Sequence, residues 1–178
     1  MRQPNRLHCL VRLAAGICLA AITSSHSAAA ASNSDGFTPV RTKEGTLQRT
    51  DRRALEQFAR ALAPDLQGEP GHWTFRKEEV EIAIVSDEAH DRMRVLAPVG
   101  DAKKLSAADL ATLLDANFDR ALDAKYATWR GVVWAVYLHP LSSLTKEEFE
   151  SAVKQVVALR KNFGTTYSST SLVFAPPR

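Results

Sequence analysis

Apolar and polar residues alternate in the middle of the chain, and this alternation predicts strands. Apolar side chains occupy every second position in residues 80–84 and again in residues 93–97, with the polar residues 86–91 between them. A period of two residues is typical of a strand, and a short polar connection between two such runs predicts an antiparallel hairpin. Residues 73–75 predict a shorter strand ahead of this hairpin.

A second hairpin is predicted from residues 121–127 and the returning strand 132–138. The returning strand is apolar on both faces, with Val133, Ala135 and Tyr137 on one face and the even-numbered residues on the other. A strand that is apolar on both faces needs a packing partner on each face. The second packing partner is either another helix of the same chain or a second molecule, and the sequence leaves both open.

A first helix is predicted ahead of the strands, capped by Thr50 or Asp51. Leu55, Phe58 and Leu62 recur at helical spacing and form an apolar stripe on this helix. Such a stripe packs on the core of the same chain or binds a partner, and we retain it as a second candidate surface.

Two further helices are predicted between and after the hairpins. Ser106 caps the second helix, which carries Leu110, Leu113 and Leu114 on one side and ends around Asn117. The third and longest helix starts at a capping box in which a threonine and a glutamate exchange hydrogen bonds with each other's backbone amides. The residues of that box and of the apolar stripe that follows are Thr145, Glu148, Phe149, Ala152, Val153, Val156, Leu159 and Phe163.

The predicted order is helix, three strands, helix, two strands and a long helix. Because consecutive hairpin strands pair antiparallel, this order predicts an α+β fold, with an antiparallel sheet of about five strands and three helices. We expect one domain over residues 50–167, a flexible lead-in at residues 32–49 and a C-terminal tail at residues 168–178.

The first 31 residues are typical of a secretory signal peptide. The apolar run at residues 13–22 is too short to cross a membrane, which takes about 20 apolar residues. Small residues follow it, so we expect cleavage near Ala30 or Ala31, a periplasmic or secreted mature protein, and no membrane insertion afterwards. The basic start of the peptide has three arginines, Arg2, Arg6 and Arg12.

Cleavage changes both the cysteine content and the charge of the protein. Cys9 and Cys18 leave with the signal peptide, so the mature chain forms no disulfide. Three of the 23 basic residues leave as well, and none of the 20 acidic ones, so the mature net charge is zero. A neutral chain gives no electrostatic reason to expect nucleic acid as a partner.

Three local runs carry a resemblance to a known family: VLAPVG at residues 95–100, LLDANF at 113–118 and LSSLTKEE at 141–148. With the order of elements, they resemble the YbjN-type domain, which is similar in fold to the class I chaperones of type III secretion, the CesT-like family. The resemblance covers about residues 50–167. It implies a small, often dimeric, non-enzymatic domain that binds protein.

The sequence shows no constellation that a reaction or a metal requires. Of the histidines that remain after cleavage, His72 lies in a predicted turn, His90 in a hairpin loop and His139 at a strand end, without familiar zinc spacing. The mature chain has no cysteine nucleophile and no glycine-rich phosphate loop. We therefore predict no catalytic residue, no cofactor and no metal site.

The leading hypothesis is an exported, non-catalytic, chaperone-like domain that buries apolar segments of another protein or peptide, as a homodimer. Two alternatives remain: a small periplasmic hydrolase or metal-dependent enzyme built around the histidines, and a small-molecule sensor domain. The residues predicted for the partner or dimer surface are Val133, Ala135, Tyr137, Leu55, Phe58 and Leu62.

Overall fold

The computed structural model describes residues 49–171, which fall within one compact unit. The predictions for residues 1–31, for the lead-in up to residue 48 and for residues 172–178 lie outside the described part. A short 3-10 helix, Ala102–Lys104, separates the first four strands from the second helix. The elements in chain order are α1 (Arg52–Leu62), β1 (Gln67–Glu69), β2 (His72–Lys77), β3 (Val80–Asp87), β4 (Arg92–Asp101), α2 (Ala107–Asp119), β5 (Lys125–Trp129), β6 (Val132–His139) and α3 (Lys146–Asn162).

The strands form one antiparallel sheet in the order β1-β2-β3-β4-β6-β5. This arrangement confirms the predicted α+β class, with six strands among the described residues where the sequence predicted about five. The additional strand is β1, which has three exposed residues and includes Gly68. Short exposed segments with glycine have the composition of turns, so the alternation of side chains gives no signal for this strand.

The second hairpin is displaced from its predicted position. The strand predicted at residues 121–127 begins only at Lys125 and continues to Trp129. Arg130 and Gly131 form the turn, and both have positive φ, as a two-residue hairpin turn of the tightest kind requires.

A side chain of α3 explains why β5 starts later than predicted. The side-chain oxygen of Gln155 accepts hydrogen bonds from the backbone amides of Asp123 and Ala124, at 2.9 and 3.0 Å. The Gln155 amide nitrogen donates to the Asp123 carboxylate at 3.1 Å. Because a buried side chain satisfies these amides, the segment before Lys125 needs no strand partner.

Helix α3 covers one face of the sheet and completes the core. It begins with the predicted capping box, in which Thr145 and Glu148 bind each other's backbone amides. Its predicted apolar stripe is buried from Phe149 to Leu159. The Tyr126 hydroxyl donates to the Leu159 carbonyl at 2.8 Å, and burial raises the pKa of this tyrosine.

A polar network ties the start of the domain to the loop after β6. The Thr50 amide donates to the Ser142 carbonyl, and the Thr50 hydroxyl donates to the Leu144 carbonyl at 2.6 Å. Asp91, at the end of the β3–β4 hairpin, accepts from the Ser142 amide and hydroxyl at 2.7 and 2.8 Å. These two bonds hold the pKa of Asp91 below its usual range.

Candidate protein-binding surfaces

The β6 residues predicted to meet a partner are inside the monomer. Val133 and Ala135 are fully buried and Tyr137 is nearly so, because all three point toward α3. Of the two alternatives that the sequence left open, a helix of the same chain, α3, packs on this face of β6. These three residues therefore offer no surface to a partner of the folded protein, and the prediction for this face is corrected.

The stripe of α1 also packs on the core. Leu55 is fully buried, and Phe58 and Leu62 are half-buried against the same cluster. The rings of Phe58 and Phe149 lie 6.5 Å apart, which joins α1 to α3. Of the two interpretations of this stripe, the structure supports core packing.

The opposite face of the sheet lies away from α1 and α3, and it carries a band of apolar side chains. By register, Leu96 lies beside Val136 and Pro98 beside Trp134, all pointing away from α3. Leu96, Pro98 and Val136 are half-buried and Trp134 is only 8% exposed, whereas Leu138 is 52% and Trp129 41% exposed. We call this surface the open face, and its apolar residues are Ala83, Val85, Leu96, Pro98, Ala127, Trp129, Val132, Trp134, Val136 and Leu138.

One end of the open face is built by two tryptophans and an arginine. The Trp134 indole N–H donates to the Trp129 carbonyl at 3.4 Å. The Arg130 guanidinium lies over the Trp129 ring at 4.5 Å from its centroid, within the range of a cation–π interaction. Trp129 therefore has a fixed neighbour on one side and remains accessible on the other.

Helix α2 carries a second exposed apolar stripe. Leu110, Leu114 and Phe118 recur every four residues and are 38%, 69% and 74% exposed. The sequence analysis placed Leu113 on the same side of the helix as Leu110 and Leu114, but Leu113 is buried and lies on the core side. Phe118 was missed because the helix was predicted to end around Asn117, although the four-residue spacing was the available signal.

The edge of the sheet at β5 is closed by a side chain. The Asn117 oxygen accepts from the Tyr126 amide at 2.7 Å, and the Asn117 nitrogen donates to the Tyr126 carbonyl at 2.9 Å. This side-chain amide occupies the position of a peptide group of a further strand. Backbone pairing of a partner is therefore blocked at this point of the β5 edge.

The histidines of the enzyme hypothesis lie apart from one another in the fold. His72 is exposed on β2, His90 pairs with Asp87 in the β3–β4 loop at 2.7 Å, and His139 ends β6. The hydrogen bond from His90 lowers the pKa of Asp87. Among residues 49–171, no three histidine, cysteine or acidic side chains gather into a metal-binding arrangement. In the same part of the chain, no helix has the length and apolar character to cross a membrane.

The fold and its uncovered apolar surfaces define a small α+β domain of the secretion-chaperone type. Residues 53–163 match the model of the Tir chaperone protein (CesT) family, and the chain belongs to this family. The YbjN-type resemblance stays a prediction. No curated protein matches the chain by sequence.

Three similar solved structures have low sequence identity to this chain. The Yersinia pestis type III secretion chaperone SycH, solved in complex with a stable fragment of YscM2, is 15% identical, with a TM-score of 0.50 over 64% of this chain and 98% of that one. A chain of the HopA1-SchA chaperone-effector complex is 14% identical to this chain. The match has a TM-score of 0.49 and covers 61% of this chain and 88% of that one. A chain of the ExsC-ExsE complex is 19% identical to this chain, and the match has a TM-score of 0.49 and covers 62% of this chain and 87% of that one.

The closed edge at β5 gives a first prediction. Asn117→Ala removes two hydrogen bonds and leaves the Tyr126 backbone unpaired, so we expect the free energy of unfolding to fall by about 1 to 3 kcal/mol. We also expect increased self-association through the opened edge. Urea unfolding and sedimentation velocity measure the two effects. Asp115→Ala, on the exposed side of the same helix, is the control, and an equal loss in both variants would contradict the role of Asn117.

Proposed function

We propose that this protein is an exported, non-catalytic, chaperone-like domain that holds an apolar segment of another protein. The observation that carries the proposal is the open face, an apolar band across four strands on the side of the sheet away from α1 and α3. Extended exposed apolar surfaces on soluble domains mark interaction sites. Membership in a family described as chaperones supports the same function.

The energetics favour binding by side chains rather than by the backbone. Covering a leucine-sized side chain such as Leu138 contributes roughly 1.5 to 3 kcal/mol, and Trp129 offers a large flat ring beside it. Several such contacts are needed to offset the cost of association. The band provides them in one continuous row along β4 and β6. The SycH structure, which shares the fold, was solved with a fragment of another protein bound.

The sheet-face proposal is tested by Leu138→Asp. We expect it to weaken binding of a fluorescent, neutral, leucine-rich peptide by about tenfold or more, because an apolar contact is lost and a carboxylate must be desolvated. Fluorescence anisotropy of the purified protein measures the affinity. Gln57→Asp, on the exposed side of α1, is the control. Unchanged affinity in Leu138→Asp, with the fold intact by circular dichroism, would remove the open face as the binding site.

We further propose that the stripe of α2 joins two copies of the chain. A two-fold axis would bring the stripes of the two copies together, which hides Leu114 and Phe118, the two most exposed large apolar side chains among residues 49–171. This homodimer leaves the open face free for the partner.

The dimer is tested by Leu114→Asp combined with Phe118→Asp. We expect light scattering to give twice the monomer mass for the unmutated protein and the monomer mass for the variant, with the same circular dichroism spectrum. Introducing a charge into an apolar contact costs far more than introducing it at a solvated position. Ala61→Asp on α1 is the matched control. A monomeric unmutated protein at high concentration would end this proposal.

Export is the remaining part of the proposed function, and it is supported by the signal-peptide pattern of residues 1–31. We expect cells that express the full chain with a C-terminal tag to release a product whose N-terminus lies near Ala30 or Ala31. Cell fractionation and N-terminal sequencing measure this. Replacing Arg2, Arg6 and Arg12 by glutamate should leave the precursor uncleaved in the cytoplasm. A product that keeps Met1 and stays cytoplasmic would refute export.

A further inference from the structure

We propose that the segment held by the open face carries acidic side chains next to its apolar ones. This inference rests on the proposed function and names the chemistry of the partner. Basic side chains lie at the two ends of the open face, and they form no ion pair with residues 49–171.

At the tryptophan end, one basic residue lies in the hairpin turn and two lie in the 3-10 helix that is bonded to this turn. Arg130 lies over the Trp129 ring, and the short 3-10 helix that contains Lys103 and Lys104 is joined to the turn by a hydrogen bond of 2.9 Å from Ala102 to Gly131. The aliphatic part of Lys103 passes over Gly131, with its Cε 3.4 Å from where a Cβ would lie there. Within residues 49–171, none of the three cations forms an ion pair.

One acidic side chain, Asp101, lies beside the three cations, across from Val132 in the β4–β6 register, so this end keeps a net positive charge. Asp101 is the nearest in sequence, and its carboxylate accepts the Lys103 backbone amide at 2.9 Å as the cap of the 3-10 helix. Glu81 lies opposite Arg76 in the β2–β3 pairing, away from β6.

At the other end of the open face, Arg94 repeats this arrangement. It lies directly across from Leu138 in the β4–β6 register, is exposed, and forms no ion pair with the described residues. From Leu138 to Val132 the strand advances six residues, or roughly 20 Å. An extended segment of about six residues, or a helix of about 13, spans this distance. The partner is therefore apolar in its centre, with carboxylates toward its ends.

The expected effect of these charges is selectivity rather than strong added affinity. Exposed ion pairs contribute little each, so two or three of them change the affinity by about tenfold at low salt. Because the mature chain has no net charge, such an effect comes from local placement. Complementary charge also accelerates the encounter and loses its influence as salt rises.

The test uses three fluorescent peptides with the same apolar centre and with aspartate, asparagine or lysine at the flanking positions. We expect the purified protein to bind the aspartate peptide about tenfold more tightly than the asparagine peptide, and the lysine peptide most weakly. The differences should vanish between about 0.01 M and about 1 M salt, where the screening length falls from about 30 to about 3 Å. The preference for the aspartate peptide over the other two should become smaller or reverse in two variants. These are the double variant Lys103→Glu with Lys104→Glu and the single variant Arg94→Glu.

Lys154→Glu is the matched control, since Lys154 is exposed on α3. If the asparagine peptide binds and the aspartate peptide binds no better, the acidic-partner inference is wrong while the proposed function stands. An equal effect of Lys154→Glu would also overturn it, because net charge would then explain the order. If none of the three peptides binds the folded protein, the open face is not a peptide site and both proposals fail.

Discussion

The packing of α3 across the sheet is the interaction on which the rest of the structure depends. Its apolar stripe covers β3, β4, β6 and β5 on one side, and α1 joins the same core through Phe58 and Phe149. Gln155 of α3 also binds the backbone amides of the segment before β5 and so holds this segment in place. Because both of these helices lie on one side of the sheet, neither of them covers its other side.

The elements with strong periodicity could be predicted from sequence. The capping box at Thr145 and the stripe that follows it specified α3, and alternation specified β3 and β4. The limits of β5 could not be predicted, because they depend on the long-range bonds of Gln155 and Asn117. The two apolar faces of β6 were recognised correctly, but alternation cannot tell which face meets a helix. The partner residues were therefore assigned to the buried side, where Val133 lies.

Two apolar surfaces of different character remain on this member of the CesT family. The stripe of α2 is narrow and strongly exposed, whereas the open face is broad, mostly half-buried and bordered by cations. A narrow helical stripe is suited to pairing with an identical stripe, and a broad band with charged ends is suited to a chain of another sequence. The side chain of Asn117, on the helix that carries the narrow stripe, pairs with the Tyr126 backbone at the β5 edge of the sheet.

The position of α3 in the chain has a consequence for synthesis. Every strand is made before the helix that covers it, so a growing chain has its apolar strands but lacks the surface that would bury Val95, Val133 and Tyr137. The loop closure that forms the core thus comes late. A nascent chain that ends before α3 therefore exposes these side chains, and its core forms only when this last helix has been made.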